Sequence, residues 1–543
     1  MTTERRDITM LPDLATSSGR VGPVRTRMPI YVDLLPPCNN ACPAGENCQE
    51  WLRLVKETDP ENAWRQLVRD NPFPAIHGRV CYHPCETACN RGDLDQAVSI
   101  PSVERYLGDM AISHGWRFNH PRNNTGYRVL VIGAGPAGLS AAYHLARLGH
   151  EIEIHDAGEK AGGMMRYGIP EYRLPRDVVD AEIARIEELG VRIVLNHPVS
   201  DLMAEQKEGN FDAVFVAVGA HLSRRVEIPS VDAGHMVNAV DFLRDVASGD
   251  KPVIGRRVAV YGGGNTAMDA ARTARRLGAE DAVIIYRRTE AQMPAHKEEL
   301  DEAEREGVQV HWLRTINQMD AEGIEVEIME LDEDGKPHGT GTFEKLAADT
   351  VIMAVGQVAD TGFLQKIPGM QFNGDIVRVD PATLMTDVPG IFAGGDAVPS
   401  ERTVTVGVGH GKRAAKQIDT WLNHQNPAPR VKHPIVHFDD LHLWYFGDHP
   451  REVQAELDPS ERVVDFGEVV KGLTEDEAIF EARRCLSCGN CFECDGCFGS
   501  CPEDAIIKLG KGHRYRFDYE KCTGCGTCYE QCPVHAIEMI PER

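Results

Sequence analysis

The placement of the cysteines constrains this chain more than any other feature. Of sixteen in 543 residues, six lie between Cys38 and Cys89, ten between Cys485 and Cys532, and none in between. In a reducing cytosol disulfides explain such clusters poorly and metal binding explains them well. The chain thus divides into a cluster end, a cysteine-free core and a second cluster end. Its length also exceeds what one hydrophobic core organises, so three or four domains are expected. Near the C-terminus two segments align 31 residues apart, CFECDGCFGSCPEDAI (491–506) and CTGCGTCYEQCPVHAI (522–537). Both read C-x2-C-x2-C-x3-C-P, the run of bacterial two-cluster ferredoxins, in which the fourth cysteine ligates the other cluster. Cys491, Cys494, Cys497 and Cys532 are therefore expected on one [4Fe–4S] cluster, and Cys522, Cys525, Cys528 and Cys501 on the other. Structural zinc favours two separated C-x2-C pairs instead.

The core carries two nucleotide loops. An apolar run, Val129 to Ile132, leads into Gly133-Ala134-Gly135-Pro136-Ala137-Gly138, then a helical pattern, then a strand EIEIH ending at Asp156. Strand, G-x-G-x-x-G, helix, strand and acid stand in dinucleotide-binding order. Gly133 permits the turn, Gly135 admits a pyrophosphate to the backbone, and Gly138 lets helix and strand pack. The helix N-terminus faces the phosphates, and Asp156 accepts from a ribose diol. A second loop, Gly262-Gly263-Gly264-Asn265-Thr266-Ala267, follows the strand Arg257–Tyr261. The strand after its helix ends in Arg287-Arg288 instead of an acid. Two guanidiniums suit a 2′-phosphate that a carboxylate would repel, which points to NADP(H) over NAD(H). Two more strands end in glycine, at Gly219 and Gly356, and each brings backbone close to a nucleotide. IFAGGD places Gly395 and Asp396 where an acid can hold a flavin ribityl chain. Thr403 and Val404 lead into a helix whose start can stabilise negative charge on a reduced flavin.

Residues 30 to 425 or so resemble the small (β) subunit of bacterial glutamate synthase. They are also similar to the NADPH/FAD half of dihydropyrimidine dehydrogenase and to the large subunit of NADH-dependent ferredoxin:NADP oxidoreductase. The carrying stretches are GAGPAGLSAA, GGMMRYGIPEYRLP (162–175), GGGNTAMDAARTARRLGA with YRRT, and IFAGGDA. The resemblance implies FAD on the first loop and on the Gly-Gly-Asp segment, with Asp156, Gly163, Met164 and Arg173 joining that site. It implies NADP(H) on Gly263 to Ala267, Arg287, Arg288 and Gly356.

The N-terminal cysteines stand in CNNACPAG (38–45) and GRVCYHPCETAC (78–89), followed by VSIPSVERY (98–106). The same resemblance implies a helical domain with two clusters, one held by Cys42, Cys81, Cys85 and Glu104. The other takes Cys38, Cys89 and, in the family, an upstream C-x2-C. Here no cysteine precedes Cys38. The segment Arg484-Cys485-Leu486-Ser487-Cys488-Gly489 looks like the missing piece, moved to just before the ferredoxin repeat. With it, fifteen cysteines and Glu104 supply the sixteen ligands of four clusters, and Cys48 is left over at a position that reads as the apolar face of a helix. Two alternatives stay open: Cys485 and Cys488 are spare, or Cys48 is itself a ligand.

The expected fold is an α/β core of two Rossmann-like, doubly wound domains, the second inserted in the first, between an N-terminal α-helical iron–sulfur domain and a C-terminal α+β ferredoxin-like domain. The expected boundaries are 1–122 (helical cluster domain), 123–245 and 350–430 (FAD domain), 246–349 (NADP domain), 431–484 (connector) and 485–543 (ferredoxin domain). A charge of −25 argues against nucleic acid or an anionic membrane as partner. No stretch is long and apolar enough to span a bilayer and the first twenty residues lack an export signal, so a cytoplasmic location is expected. No hydrolase elbow is present. The expected activity is electron transfer between NAD(P)(H), FAD and the clusters, with no catalytic side chain, serving ferredoxin or a catalytic partner such as a 2-oxoacid:acceptor oxidoreductase. The alternatives are a glutamate synthase small subunit and a non-catalytic redox sensor or scaffold.

Overall fold

The computed structural model describes residues 25–542 apart from 122, 225, 227, 230–234 and 426–432. The expectation about an export signal falls on residues outside this set.

Two five-stranded parallel sheets form the core. In the first, the strand order is Ile391–Ala393, Ala213–Val216, Arg128–Ile132, Glu151–His155, Arg192–Val194. The central strand, RVLVI, is apolar on both faces and buried over its last four residues, as a strand covered by helices on each side must be. The second sheet runs Gln309–Trp312, Asp281–Tyr286, Arg257–Tyr261, Thr350–Met353, His235–Asn238. It lies in the chain between strands Ala213–Val216 and Ile391–Ala393 of the first. In each sheet the glycine loop follows the central strand, where strand order reverses and a crevice opens for a ligand. A three-stranded antiparallel sheet (Arg314–Asp320, Gly323–Leu331, Pro337–Leu346) projects from the second unit. Nothing in the periodicity had separated it from the core.

Two further elements position the ends. Short helices from Pro37 to Ser113 pack around Trp51, Trp64 and Phe73, each fully buried. The strand Arg27–Tyr31 pairs antiparallel with Ile537–Pro541 in the register Arg27↔Pro541 to Tyr31↔Ile537. The beginning of the described chain therefore completes a sheet of the C-terminal unit, a pairing the sequence reading did not foresee. Among the described residues no helix is long and apolar enough to cross a membrane.

Candidate functional site: two nucleotide loops between cysteine clusters

The first loop is built by close backbone approaches. Gly133 takes φ +105, and a Cβ there would stand 2.4 Å from the Ala217 carbonyl oxygen. At Gly138 a Cβ would stand 1.9 Å from the Gly133 oxygen. These two glycines are demanded by the fold itself. Gly135 is different: a Cβ there meets only the Gly163 Cα, at 4.0 Å. That space is open where the helix Pro136–Leu148 begins, and it suits a pyrophosphate seated on the helix N-terminus. Gly163 faces it at φ +52, where a side chain would strike Gly135. Met164 starts the short helix Met164–Tyr167 directly behind. The Asp156 carboxylate accepts from the Ala134 and Gly158 N–H groups at 2.6 and 2.7 Å. Each oxygen keeps a lone pair for a ribose hydroxyl.

The helix Val404–Leu422 returns against the first loop. Thr403 caps it by accepting the Val406 N–H at 3.2 Å. Gly407 lies beside Pro136 and Ala137, and Gly395, at φ +67, beside Ala137. The Gly395 N–H donates to His410 Nδ1 at 3.1 Å, and burial lowers the His410 ring to about 4. Burial raises Asp396 to about 6 against the opposing pull of Arg402. The two helix N-termini and the Gly-Gly-Asp segment thus bound one cleft, and its bare glycines and single acid fit a bound FAD.

The second loop repeats the construction. Gly262, at φ +147, passes so close to Ala354 that a Cβ would stand 2.2 Å from its oxygen. Gly263 is packed against the Tyr286 ring, whereas Gly264 and Gly356 face open space. The helix Asn265–Arg276 starts there. The Gln357 amide donates to the Thr266 hydroxyl at 3.4 Å, and Ala267 is buried behind it. Arg287 is exposed and Arg288 half-buried at the end of strand Asp281–Tyr286. Among the described residues neither has a carboxylate partner, and the buried Nε of Arg288 lacks an acceptor. Such unpaired guanidiniums fit an NADP(H) 2′-phosphate.

Arg173 does not face the first loop. Its guanidinium donates to both Asp269 oxygens, at 2.8 and 2.9 Å, and pairs with Glu299. A residue carried over to the FAD site therefore docks the FAD unit onto the helices Asn265–Arg276 and Lys297–Arg305 of the second unit. The reason is electrostatic, since buried Asp269 and Glu299 offer the nearest negative charge.

The cysteines converge in four groups. Cys42, Cys81, Cys85 and Glu104 share one electrostatic neighbourhood. Cys38, Cys89, Cys485 and Cys488 share another, drawn from both ends of the chain. Cys491, Cys494, Cys497 and Cys532 form a third, and Cys501, Cys522, Cys525 and Cys528 a fourth. The last four also line one small cavity with Pro29, Ile506 and Phe517. Burial pushes Cys81, Cys89, Cys497 and Cys528 up to about 12 and Cys485 to about 11. Three sets of four thiols, and one of three thiols with Glu104, all but Cys525 at least partly buried, suit iron, whose positive charge replaces the protons. N–H donors stand ready for sulfur: Ala505 to Cys501 and Ala536 to Cys532, both at 3.3 Å, Ser487 to Cys485 at 3.4 Å, and the Asn90 amide to Cys488 at 3.5 Å. Among the described residues the buried Tyr31 hydroxyl has no partner, and it sits among Cys491, Cys497 and Cys532. An orphaned donor in that place fits cluster sulfur.

Cys48 is the first residue of helix Cys48–Lys56 and is 1% exposed. Its thiol lies against those of Cys38, Cys42 and Cys85, which hold it well above its ordinary value. Cys38 is held below its own, first of all by Cys48. Cys48 therefore stands between the two N-terminal groups and keeps its proton. Sequence reasoning also missed a buried set behind Glu104. Asn71 donates to Glu104 and Glu46 at 2.8 and 3.0 Å, with His77 Nδ1 2.8 Å from the same amide. Asn71 and His77 belong to no motif, so no sequence signal could have found them.

Comparison with known proteins identifies the same kinds of domain. The family model described as pyridine nucleotide-disulphide oxidoreductase matches residues 127–415. The model for the 4Fe-4S domain II of dihydropyrimidine dehydrogenase matches 34–116, and a 4Fe-4S binding domain matches 515–538. The chain is 37% identical over 497 residues to the NADP(+)-dependent formate dehydrogenase subunit beta of Moorella thermoacetica, covering 83% of this chain and 70% of that one. It is 33% identical over 511 residues to the NADPH-Fe(3+) oxidoreductase subunit beta of Geobacter sulfurreducens, covering 83% and 75%. With the glutamate synthase [NADPH] small chain of Azospirillum brasilense it shares 32% identity over 424 residues, covering 73% and 88%. The chain belongs to the pyridine nucleotide-disulphide oxidoreductase family, as an iron–sulfur flavoprotein with a 4Fe-4S domain on each side of its nucleotide-binding core.

Proposed function

We propose that the chain is the NADP(H)-linked electron-transfer subunit of a larger assembly, joining a pyridine nucleotide to ferredoxin or to a catalytic partner through FAD and four [4Fe–4S] clusters. When bound, the flavin exchanges a hydride with the nicotinamide and passes single electrons to the clusters. The chain's own residues supply alignment. Gly135 and Gly163 leave room for one pyrophosphate and Gly264 for the other, so that the two nucleotides meet between the units. Arg287 and Arg288 select the 2′-phosphate, and four ligand groups each hold one cluster: Cys42, Cys81, Cys85 and Glu104; Cys38, Cys89, Cys485 and Cys488; and the two ferredoxin sets.

The observation that carries this reading is the contact between the flavin-side helix and the first cluster group. The Cys81 thiol lies against the Thr405 side chain in the first turn of Val404–Leu422. Behind it, a Cβ at Gly409 would stand 2.0 Å from the Pro43 oxygen. The helix that bounds the flavin cleft thus packs directly on the loop that carries Cys42. The chain's similarity to a formate dehydrogenase subunit and to an NADPH-Fe(3+) oxidoreductase subunit supports a role beside a formate-oxidising or metal-reducing partner, and a 2-oxoacid:acceptor oxidoreductase is a partner of equivalent chemistry. The test is nucleotide choice. Replacing Arg287 and Arg288 with Ala should raise the NADPH Michaelis constant at least about tenfold and leave NADH little changed, since charge-assisted hydrogen bonds contribute about 1.5–3 kcal/mol each. An unmodified enzyme that prefers NADH would overturn the NADP assignment.

A further inference from the structure

Tyr82 lies between Cys81 and Cys85, yet its ring leaves the cluster domain and stacks on His296 of the second nucleotide unit. The ring centroids are 3.6 Å apart and the planes 6° from parallel. Asn265, the first residue of the second loop helix, donates its amide N–H to the Tyr82 oxygen at 2.7 Å. The Asn265 side-chain oxygen accepts the His296 backbone N–H at 3.0 Å. Both ends of the amide are thus used, and Tyr82 and His296 together fix its plane. The Arg173 guanidinium lies near the Tyr82 oxygen, while pairing with Asp269 on the same helix. Chain geometry holds the tyrosine in place. His83 bends the loop at φ 56°, a left-handed conformation seldom taken by non-glycine residues. On the other side the Cys81 thiol lies against Thr405. Gly264, immediately before Asn265, borders the open space that a pyrophosphate would fill.

We propose that Tyr82 is a nucleotide-positioning residue, carried by the cluster domain onto the second glycine loop. It fixes Asn265 and so the seat of the NADP(H) pyrophosphate, and it docks the nucleotide unit in register with the flavin cleft. This rests on the assignment of NADP(H) to the second loop. A hydroxyl that accepts from Asn265 still has its own hydrogen to donate, and a phosphate oxygen is a matching acceptor. The stack supplies rigidity between domains, and the hydroxyl supplies the bond that orients Asn265. The two contributions separate by substitution.

The experiment uses anaerobically purified holoenzyme carrying Tyr82→Phe, Tyr82→Ala or His296→Ala, with iron and FAD quantified first. NADPH affinity is read by equilibrium titration, and the flavin bleaching rate by stopped flow. Tyr82→Ala and His296→Ala should each weaken NADPH about tenfold and slow bleaching, the loss corresponding to one oriented hydrogen bond and its support. Tyr82→Phe should restore the bleaching rate but not the affinity. The Tyr82→Ala/His296→Ala pair should be no worse than either alone, because both act through one contact. If Tyr82→Ala loses iron, His296→Ala decides, since it lies on the other domain. Full cofactor content with parental affinity and rate in His296→Ala overturns the inference. If the Arg287/Arg288 variant still weakens NADPH in that case, the site assignment stands and only the role of Tyr82 falls. If neither does, both fall.

Discussion

Single residues divide here into those the fold requires and those the ligand requires, and the glycines show the difference. Gly133 and Gly138 abut backbone, so any side chain there disrupts the sheet. Gly135 has an ordinary φ of −81 and open space before it. Gly135→Val should therefore leave a folded chain with parental far-ultraviolet dichroism and full iron, but without FAD. A variant that keeps stoichiometric FAD would place the pyrophosphate elsewhere. The sequence motif already assigned the three glycines different roles; what it could not name were the atoms they meet, Ala217 for Gly133 and the Gly133 carbonyl for Gly138. Arg173 marks a second limit of sequence reading. Its stretch resembles a flavin-binding segment, but the charges that capture it, Asp269 and Glu299, lie on another unit.

At the scale of elements, helices of one unit are capped by side chains of another. Glu182, fully buried on helix Arg176–Glu187, accepts the Ala75 and Ile76 N–H groups at 3.0 and 3.1 Å. It thereby satisfies the start of Pro74–Val80, the helix that leads into Cys81. Burial raises Glu182 to about 7, above the 4.5 of a free carboxyl. The folded state thus binds this proton more tightly than the unfolded chain. The group's contribution is full below about 4.5 and is lost as pH rises through 7. Glu182→Gln, which cannot ionise, should grow more stable relative to the parent from pH 6 to pH 8 in denaturant melts. A difference that stays constant with pH would show that Glu182 does not titrate in this range. The helix Glu475–Arg484 opens on a capping box that the sequence itself carries, Thr474 with Glu477. The sequence placed Cys485 with Cys38 and Cys89, but it could not supply the network that holds it there. Arg484 donates to the carbonyls of His449, Ala97 and Gln96 and pairs with Asp95 and Glu481. Arg91 donates to the Arg484 carbonyl in turn. This buried network seats Cys485 beside Cys38 and Cys89.

Over the whole molecule, the two ends of the chain close on each other. The strand Arg27–Tyr31 joins Ile537–Pro541, Leu35 bridges to Ile435, and Cys485 and Cys488 enter the N-terminal cluster domain. The ordering of cysteines, loops and strands was readable because each motif is local and its chemistry demands fixed spacing. The closure was readable only as a deficit, two missing ligands at one end and two surplus cysteines at the other. Tyr82 and Arg484 reach partners about two and four hundred residues away, and no spacing rule reports such contacts. The proposed function depends most directly on one cluster being shared between the two ends. In anaerobically reconstituted protein the parent should hold about sixteen irons, four per cluster. Cys485→Ser with Cys488→Ser should remove about four, while Cys48→Ser should remove none. On adding NADPH to the double variant, the flavin should still bleach, but the ferredoxin-type clusters should no longer be reduced in the electron paramagnetic resonance spectrum. Retention of all iron, with those clusters reduced at the parental rate, would contradict a path that runs through the meeting of the two ends.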